Sequence, residues 1–163
     1  MDVFSFPYQQ YLKDELPEEI KQLVAMAEAA CAQAYAPYSQ LKVGAAVLMT
    51  DGQTITGANQ ENASYPVGIC AERAVLSTIN PSDDRKIKAI AVTYTAEDTT
   101  QLAPIAPCGM CRQSILEMQH RQGTPITLYM CGPGNEVTMV EDSEFLLPFS
   151  FGNKDLPGYK PQG

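Results

Sequence analysis

Two cysteines three residues apart stand in Pro107-Cys108-Gly109-Met110-Cys111-Arg112, with the apolar positions Ile115, Leu116 and Met118 close behind. Proline just ahead of the pair suits the first turn of a helix, where a missing N–H costs nothing. A helix beginning near Cys108 carries Cys108 and Cys111 on one face of its first turn. The positive end of the helix dipole favours thiolate over thiol there. Two thiolates aimed at one spot need a metal ion or an electron-transfer partner. Cys70 has the same setting, at the start of a second predicted helix after a loop. If two such helices flank adjacent strands, Cys70, Cys108 and Cys111 gather at one end of a sheet. Three thiolates supply three zinc ligands, and a fourth position left to water separates a catalytic zinc from a structural one. Glu72, two residues past Cys70, then stands close enough to handle the proton of that water, whose pKa zinc brings from about 16 to near 7.

The same residues admit duller readings. Cys131 or His120 could close a structural zinc knuckle, which would leave Glu72 idle. Cys108 and Cys111 could be the redox pair of a thiol–disulfide oxidoreductase, a reading that leaves Cys70 without work. His120, near a predicted helix end, fits a surface or capping role, and Cys31 and Cys131 fit buried apolar positions.

The elements that must position these groups follow from periodicity. Leu16-Pro17-Glu18-Glu19 opens a helix, and Ile20, Leu23, Val24, Ala27, Ala30, Cys31 and Ala34 recur at helical spacing to about Tyr35. Val43 to Met49 and Thr54 to Asn59 read as hairpin strands around Asp51-Gly52. After a loop from Gln60 to Gly68, a helix runs from Cys70 through Leu76 and is closed by Asn80-Pro81. Ile87 to Thr95 is a buried strand, Cys108 to about His120 the third helix, and Ile126 to Met130 and Glu136 to Val140 further strands. A short helix is expected around Glu141 to Leu147. This order predicts an α/β fold: a three-layer α/β/α sandwich with a mixed sheet of about five strands. Residues 1–163 read as a single domain, with 1–15 as an N-terminal arm lacking a clear period and 148–163 as a C-terminal tail.

Composition narrows the function. Eleven Lys and Arg against nineteen Asp and Glu give a net charge of −8, which repels a polyphosphate backbone, so no nucleic-acid partner is expected. A neutral small molecule suits this charge better. No apolar run approaches a membrane span, so no membrane partner is expected either. Five cysteines, an odd number, together with an acidic Met1-Asp2 start lacking a long apolar segment predict reduced thiols and a cytoplasmic location.

Cys70-Ala71-Glu72 followed by Pro107-Cys108-Gly109-Met110-Cys111 resembles the zinc signature of the cytidine deaminase superfamily. Further matches are Tyr38-Ser39 ahead of Val43-Gly44-Ala45-Ala46, the run Gly57 to Tyr65, Cys70-Ala71-Glu72-Arg73, Leu146-Leu147-Pro148 and Ser150-Phe151-Gly152. Together they are similar to the free-nucleoside cytidine deaminases, the small homotetrameric branch, and run in family order from Tyr38 to Leu156. The resemblance implies one Zn2+ per chain on Cys70, Cys108 and Cys111, with Glu72 as proton shuttle. It implies that Asn59 and Glu61 hold the ribose 3′-hydroxyl, that the Ala63 backbone meets the pyrimidine carbonyl, and that Tyr65 and Phe151 are supplied across subunit interfaces. Arg73 and Arg112 are placed to offset the thiolate charge by donating to sulfur. Leu41 stands where the family often has phenylalanine, making one wall of the base site aliphatic, and Met110 replaces a commonly small residue. The implied activity is hydrolytic deamination of free cytidine and deoxycytidine in pyrimidine salvage, by a homotetramer with shared active sites. A deaminase of a modified aminopyrimidine nucleoside, the blasticidin type, is the alternative within the superfamily.

Overall fold

Along the second strand, Ala45, Val47 and Met49 point to one side of a sheet and Ala46 and Leu48 to the other, all buried. A strand buried on both faces needs a helical layer on each side, and that is the architecture. In the computed structural model, which describes residues 1–80, 82, 84–96, 100 and 102–158, six strands form one sheet in the order β1-β6-β5-β4-β2-β3. They are β1 (Gln9–Leu12), β2 (Leu41–Met49), β3 (Thr54–Ala58), β4 (Ile87–Ala96), β5 (Thr127–Cys131) and β6 (Glu136–Val140). Only β4 and β5 pair in parallel. One face is covered by α1 (Glu18–Ala30), whose Ile20, Leu23, Val24 and Ala27 pack on Ala46, Leu48, Ala89 and Ala91. The other face is covered by α2 (Ala71–Leu76) and α3 (Gly109–Gln122), which bury Val75, Leu76 and Ile115 against Val47, Ile90 and Leu128.

The expected three layers and mixed sheet are present, with one strand more than expected. The extra strand, β1, lies within the N-terminal arm and pairs antiparallel with β6 at the sheet edge. Its four residues are exposed but for half-buried Tyr11, so no alternation marks it. The α1 helix stops at Ala30 and gives way to a 3-10 turn, Cys31–Gln33, short of Tyr35. The short helix after β6 is a 3-10 turn, Ser143–Leu146. Pro81, read as the stop of α2, lies outside the described residues.

Strand direction decides where the cysteines go. β3 and β4 each pair antiparallel with β2, so they run the same way and end at the same edge of the sheet. They are not adjacent, because β2 lies between them. The loops that leave them lead to Cys70 and Cys108, while β2 starts at that edge with Leu41 and Val43. Two glycines let the helices come this close. A Cβ on Gly44 would lie 2.0 Å from the Ala27 carbonyl oxygen of α1, and one on Gly57 would lie 2.8 Å from the Val75 nitrogen of α2. Backbone cannot yield as a side chain does, so Gly44→Ala should destabilise the protein by about 3 kcal/mol. Urea unfolding measures this; an unchanged midpoint would mean that α1 does not seat on β2 in this way.

Candidate active site

Cys70 is the N-cap of α2 and Cys108 the N-cap of α3, both with extended backbone, and Cys111 lies in the first turn of α3. Pro107 thus stands just ahead of the N-cap. The ligating sulfurs of Cys70, Cys108 and Cys111 all lie within 4.8 Å of one another. Cys70 Sγ is 3.9 Å from Cys108 Sγ, which is 3.5 Å from Cys111 Sγ. Zinc–sulfur bonds of about 2.3 Å at the tetrahedral angle set sulfurs roughly 3.8 Å apart. The donor set therefore fits a zinc ion by number, chemistry and spacing.

A hydrogen bond from Cys111 lowers the Cys70 pKa to about 6, and Cys111, as the donor, is pushed up. Three negative sulfurs at these separations need a bound cation to coexist. Among the described residues no fourth His, Cys, Asp or Glu joins the group. Cys131 is buried and its pKa is raised to about 12 by desolvation, as for a neutral core thiol. His120 lies in a separate open pocket. Neither closes a structural knuckle.

Glu72, in the first turn of α2, is only 3% exposed yet lines the pocket beside the sulfurs. Burial pushes its carboxyl up, and a hydrogen bond with Cys111 and its own backbone N–H partly offset this. A buried acid able to gain and lose a proton is the group that general acid–base catalysis requires.

The pocket, of about 560 Å³, opens over this cluster. Leu41 and Val43 from β2, Val92 from β4, and Ile105 with Ala106 before Cys108 form its apolar walls. Ile105 is fixed by its N–H to the Cys131 carbonyl, 2.9 Å away. Asn59, Glu61 and Asn62 bring the polar side, and Tyr65 packs edge-on against Tyr38 with ring centroids 5.7 Å apart. Asn59 also serves the sheet: its Oδ1 accepts from Val43 N at 2.8 Å and its Nδ2 donates to Leu41 O at 3.0 Å. It extends the β2–β3 ladder by one side chain beyond Ala58. Glu61 Oε2 accepts from Tyr38 N at 2.9 Å and Ser39 N at 3.3 Å. A hydrogen bond from the Ser39 hydroxyl, with these backbone bonds behind it, holds its carboxyl below the usual range.

Of the residues read from sequence, Leu41, Asn59, Glu61, Tyr65, Cys70, Glu72 and Cys108 line the pocket, and Cys111 is buried with its sulfur in the cluster. Ala63 and Phe151 do not line it. Arg73 helps to lower the Cys70 pKa through its charge. Arg112 donates from Nε to the Pro107 carbonyl at 2.9 Å and from Nη1 to the Leu146 carbonyl at 3.0 Å. Its contacts clasp the cysteine turn to the 3-10 turn Ser143–Leu146 instead of reaching sulfur. Sequence reasoning missed the walls Val43, Val92, Ile105 and Ala106, whose only sequence signal is ordinary strand or loop hydrophobicity.

Residues 17–124 match the family model for the cytidine and deoxycytidylate deaminase zinc-binding region. The chain is 42% identical over 123 residues to the cytidine deaminase of Halalkalibacterium halodurans, covering 76% of this chain and 86% of the relative. It is 36% identical over 138 residues to that of Sporosarcina psychrophila, covering 85% and 95%. Its structure is similar to the crystal structure of cytidine deaminase from Burkholderia pseudomallei, with a TM-score of 0.67, 36% identity, and coverage of 80% of this chain and 98% of the other.

Proposed function

This chain belongs to the cytidine and deoxycytidylate deaminase family, and from that premise we propose that it converts free cytidine and deoxycytidine to uridine and deoxyuridine, releasing ammonia, in cytoplasmic pyrimidine salvage. The observation that carries the reading is the convergence of three sulfurs at zinc-ligand spacing beside the buried carboxyl of Glu72. Cys70, Cys108 and Cys111 hold one Zn2+ per chain. When bound, the ion supplies the Lewis acidity that makes water a nucleophile at neutral pH.

Glu72 takes one proton from the water that attacks carbon 4 of the base. It gives that proton to the ring nitrogen, then takes the remaining proton of the hydroxyl now on carbon 4 and gives it to the amino group, which leaves as ammonia as the carbon–nitrogen bond breaks and the carbonyl forms. The sum is one water consumed and one ammonia released. Asn59 and Glu61 read the ribose hydroxyl, one donating and one accepting. The Ala63 backbone meets the pyrimidine carbonyl, and Leu41 packs against the base. Phe151 reaches a neighbouring subunit's site in a homotetramer and is largely exposed here; Tyr65, also exposed, lines this chain's own pocket at the place where the neighbouring subunit would meet it. Arg73 tempers the thiolate charge, and Arg112 steadies the cysteine turn.

An ultraviolet assay of the cytidine spectrum tests this. Turnover that a chelator abolishes and added zinc restores is expected; full turnover by metal-free protein would refute the proposal. The ribose assignment has its own test. Because Asn59 also splints β2, Glu61→Gln is the cleaner probe. Loss of a charge-assisted hydrogen bond should raise KM for cytidine about tenfold and leave the binding of free cytosine, read by competition with cytidine, unaltered. Equal losses on both would remove Glu61 from the ribose.

A further inference from the structure

The C-terminal segment after the 3-10 turn Ser143–Leu146 does not hang free. Gln113 Nε2 donates to the Phe151 carbonyl at 3.0 Å. Two turns further along the same stripe of α3, the His120 ring lies under Gly152. A Cβ on Gly152 would come within 3.2 Å of both Cε1 and Nδ1 of His120. Gly152 is buried, and its N–H is capped by Asp155 Oδ2 at 2.8 Å. The His120 side chain is only 17% exposed, its Nε2 lies 4.0 Å from Glu144 Oε1, and among the described residues its buried Nδ1 has no hydrogen-bond partner, so the ring meets Gly152 by packing alone. Upstream, Arg112 holds the Leu146 carbonyl. Between these two anchors Phe149 adopts a left-handed backbone, φ +56°, with its side chain fully exposed. A bulky residue takes that conformation only where its surroundings enforce it. Past this turn Phe151 is held by its backbone while the residue remains 60% exposed.

We propose that Gln113 and His120 form a seat on α3 that fixes the register of the C-terminal segment and thereby positions Phe151 for delivery to the substrate. The delivery step rests on the reading of Phe151 given above; the seat does not. Gln113 and His120 are positioning residues, since they hold main chain and touch no reacting atom.

The chain contains no tryptophan, so Phe151→Trp places a single indole on the segment in the zinc-loaded protein. Gln113→Glu, which keeps shape and loses the donor, should lower the emission anisotropy of that indole. With Phe151 native, the same change should reduce kcat/KM for cytidine by about three- to tenfold, mostly through KM, and have no further effect in a Phe151→Ala background. Gly152→Ala should behave alike, and adding His120→Ala should return most of the lost anisotropy by making room for the methyl. Unchanged anisotropy in Gln113→Glu, or a double variant no better ordered than Gly152→Ala, would overturn the seat. If Gly152→Ala does not fold, Gln113→Glu decides alone. Full kcat/KM in Phe151→Ala alongside lost anisotropy in Gln113→Glu would leave the seat standing and remove Phe151 from the substrate.

Discussion

Glu72→Gln should lower kcat on cytidine by about 10³–10⁴ while leaving zinc content and folding intact. General acid–base catalysis by a positioned carboxylate accounts for about 10²–10⁴ in rate, and here a single group is asked to move every proton of the reaction. Glutamine matches glutamate in volume and can still occupy the first turn of α2, but it cannot accept a proton from water or give one to the departing amine. Removing a carboxyl that is only 3% exposed also removes the desolvation that pushes it up. The variant should therefore melt at or above the temperature of the native protein. Steady-state rates, metal analysis and thermal unfolding together make the test. Turnover within tenfold of native, with zinc bound, would assign the proton transfers to another group.

Cys70→Ser should reduce zinc affinity by about 10²–10³ and abolish most activity at low zinc. Structural zinc sites bind with roughly 10–16 kcal/mol shared among four ligands, and a neutral hydroxyl replaces a thiolate poorly. The prediction also separates two classes of chemistry. Cys108 and Cys111 have their sulfurs 3.5 Å apart, close enough for a dithiol pair. A disulfide oxidoreductase would keep its exchange activity without Cys70. A metal centre of three sulfurs would lose most of its activity at low zinc. Competition with a chromophoric chelator reads the affinity, and zinc addition should rescue part of the turnover. Native affinity in the variant would show that Cys70 is not a ligand, despite its 3.9 Å approach to Cys108.

Much of the chemistry was legible because it is written locally. The N-caps of α2 and α3 place Cys70 and Cys108, and the three-residue step to Cys111 returns to the same side of the helix. The periodicity of Ile20, Leu23, Val24 and Ala27 marks the buried stripe of α1, and Asp51-Gly52 marks the hairpin, where Gly52 takes φ +86°. Such patterns arise from backbone sterics and from the burial of one face, which act over a few residues. The strand β1 escaped because its stability comes from pairing with β6 at an edge, which demands little of its own side chains.

The amino-acid sequence by itself singled out the candidate donors, the candidate acid and the helices that carry them. Only the tertiary structure decided that β2 lies between β3 and β4 and runs against both. That arrangement brings the ends of two strands and the start of a third to one edge. There Val43, Val92 and Ile105 become walls, Asn59 becomes a splint for β2, and Arg112 turns to two carbonyls. Strand order and direction are set by the burial of whole faces against one another. No stretch of a few residues encodes that free energy, so it could not be read before the chain was folded.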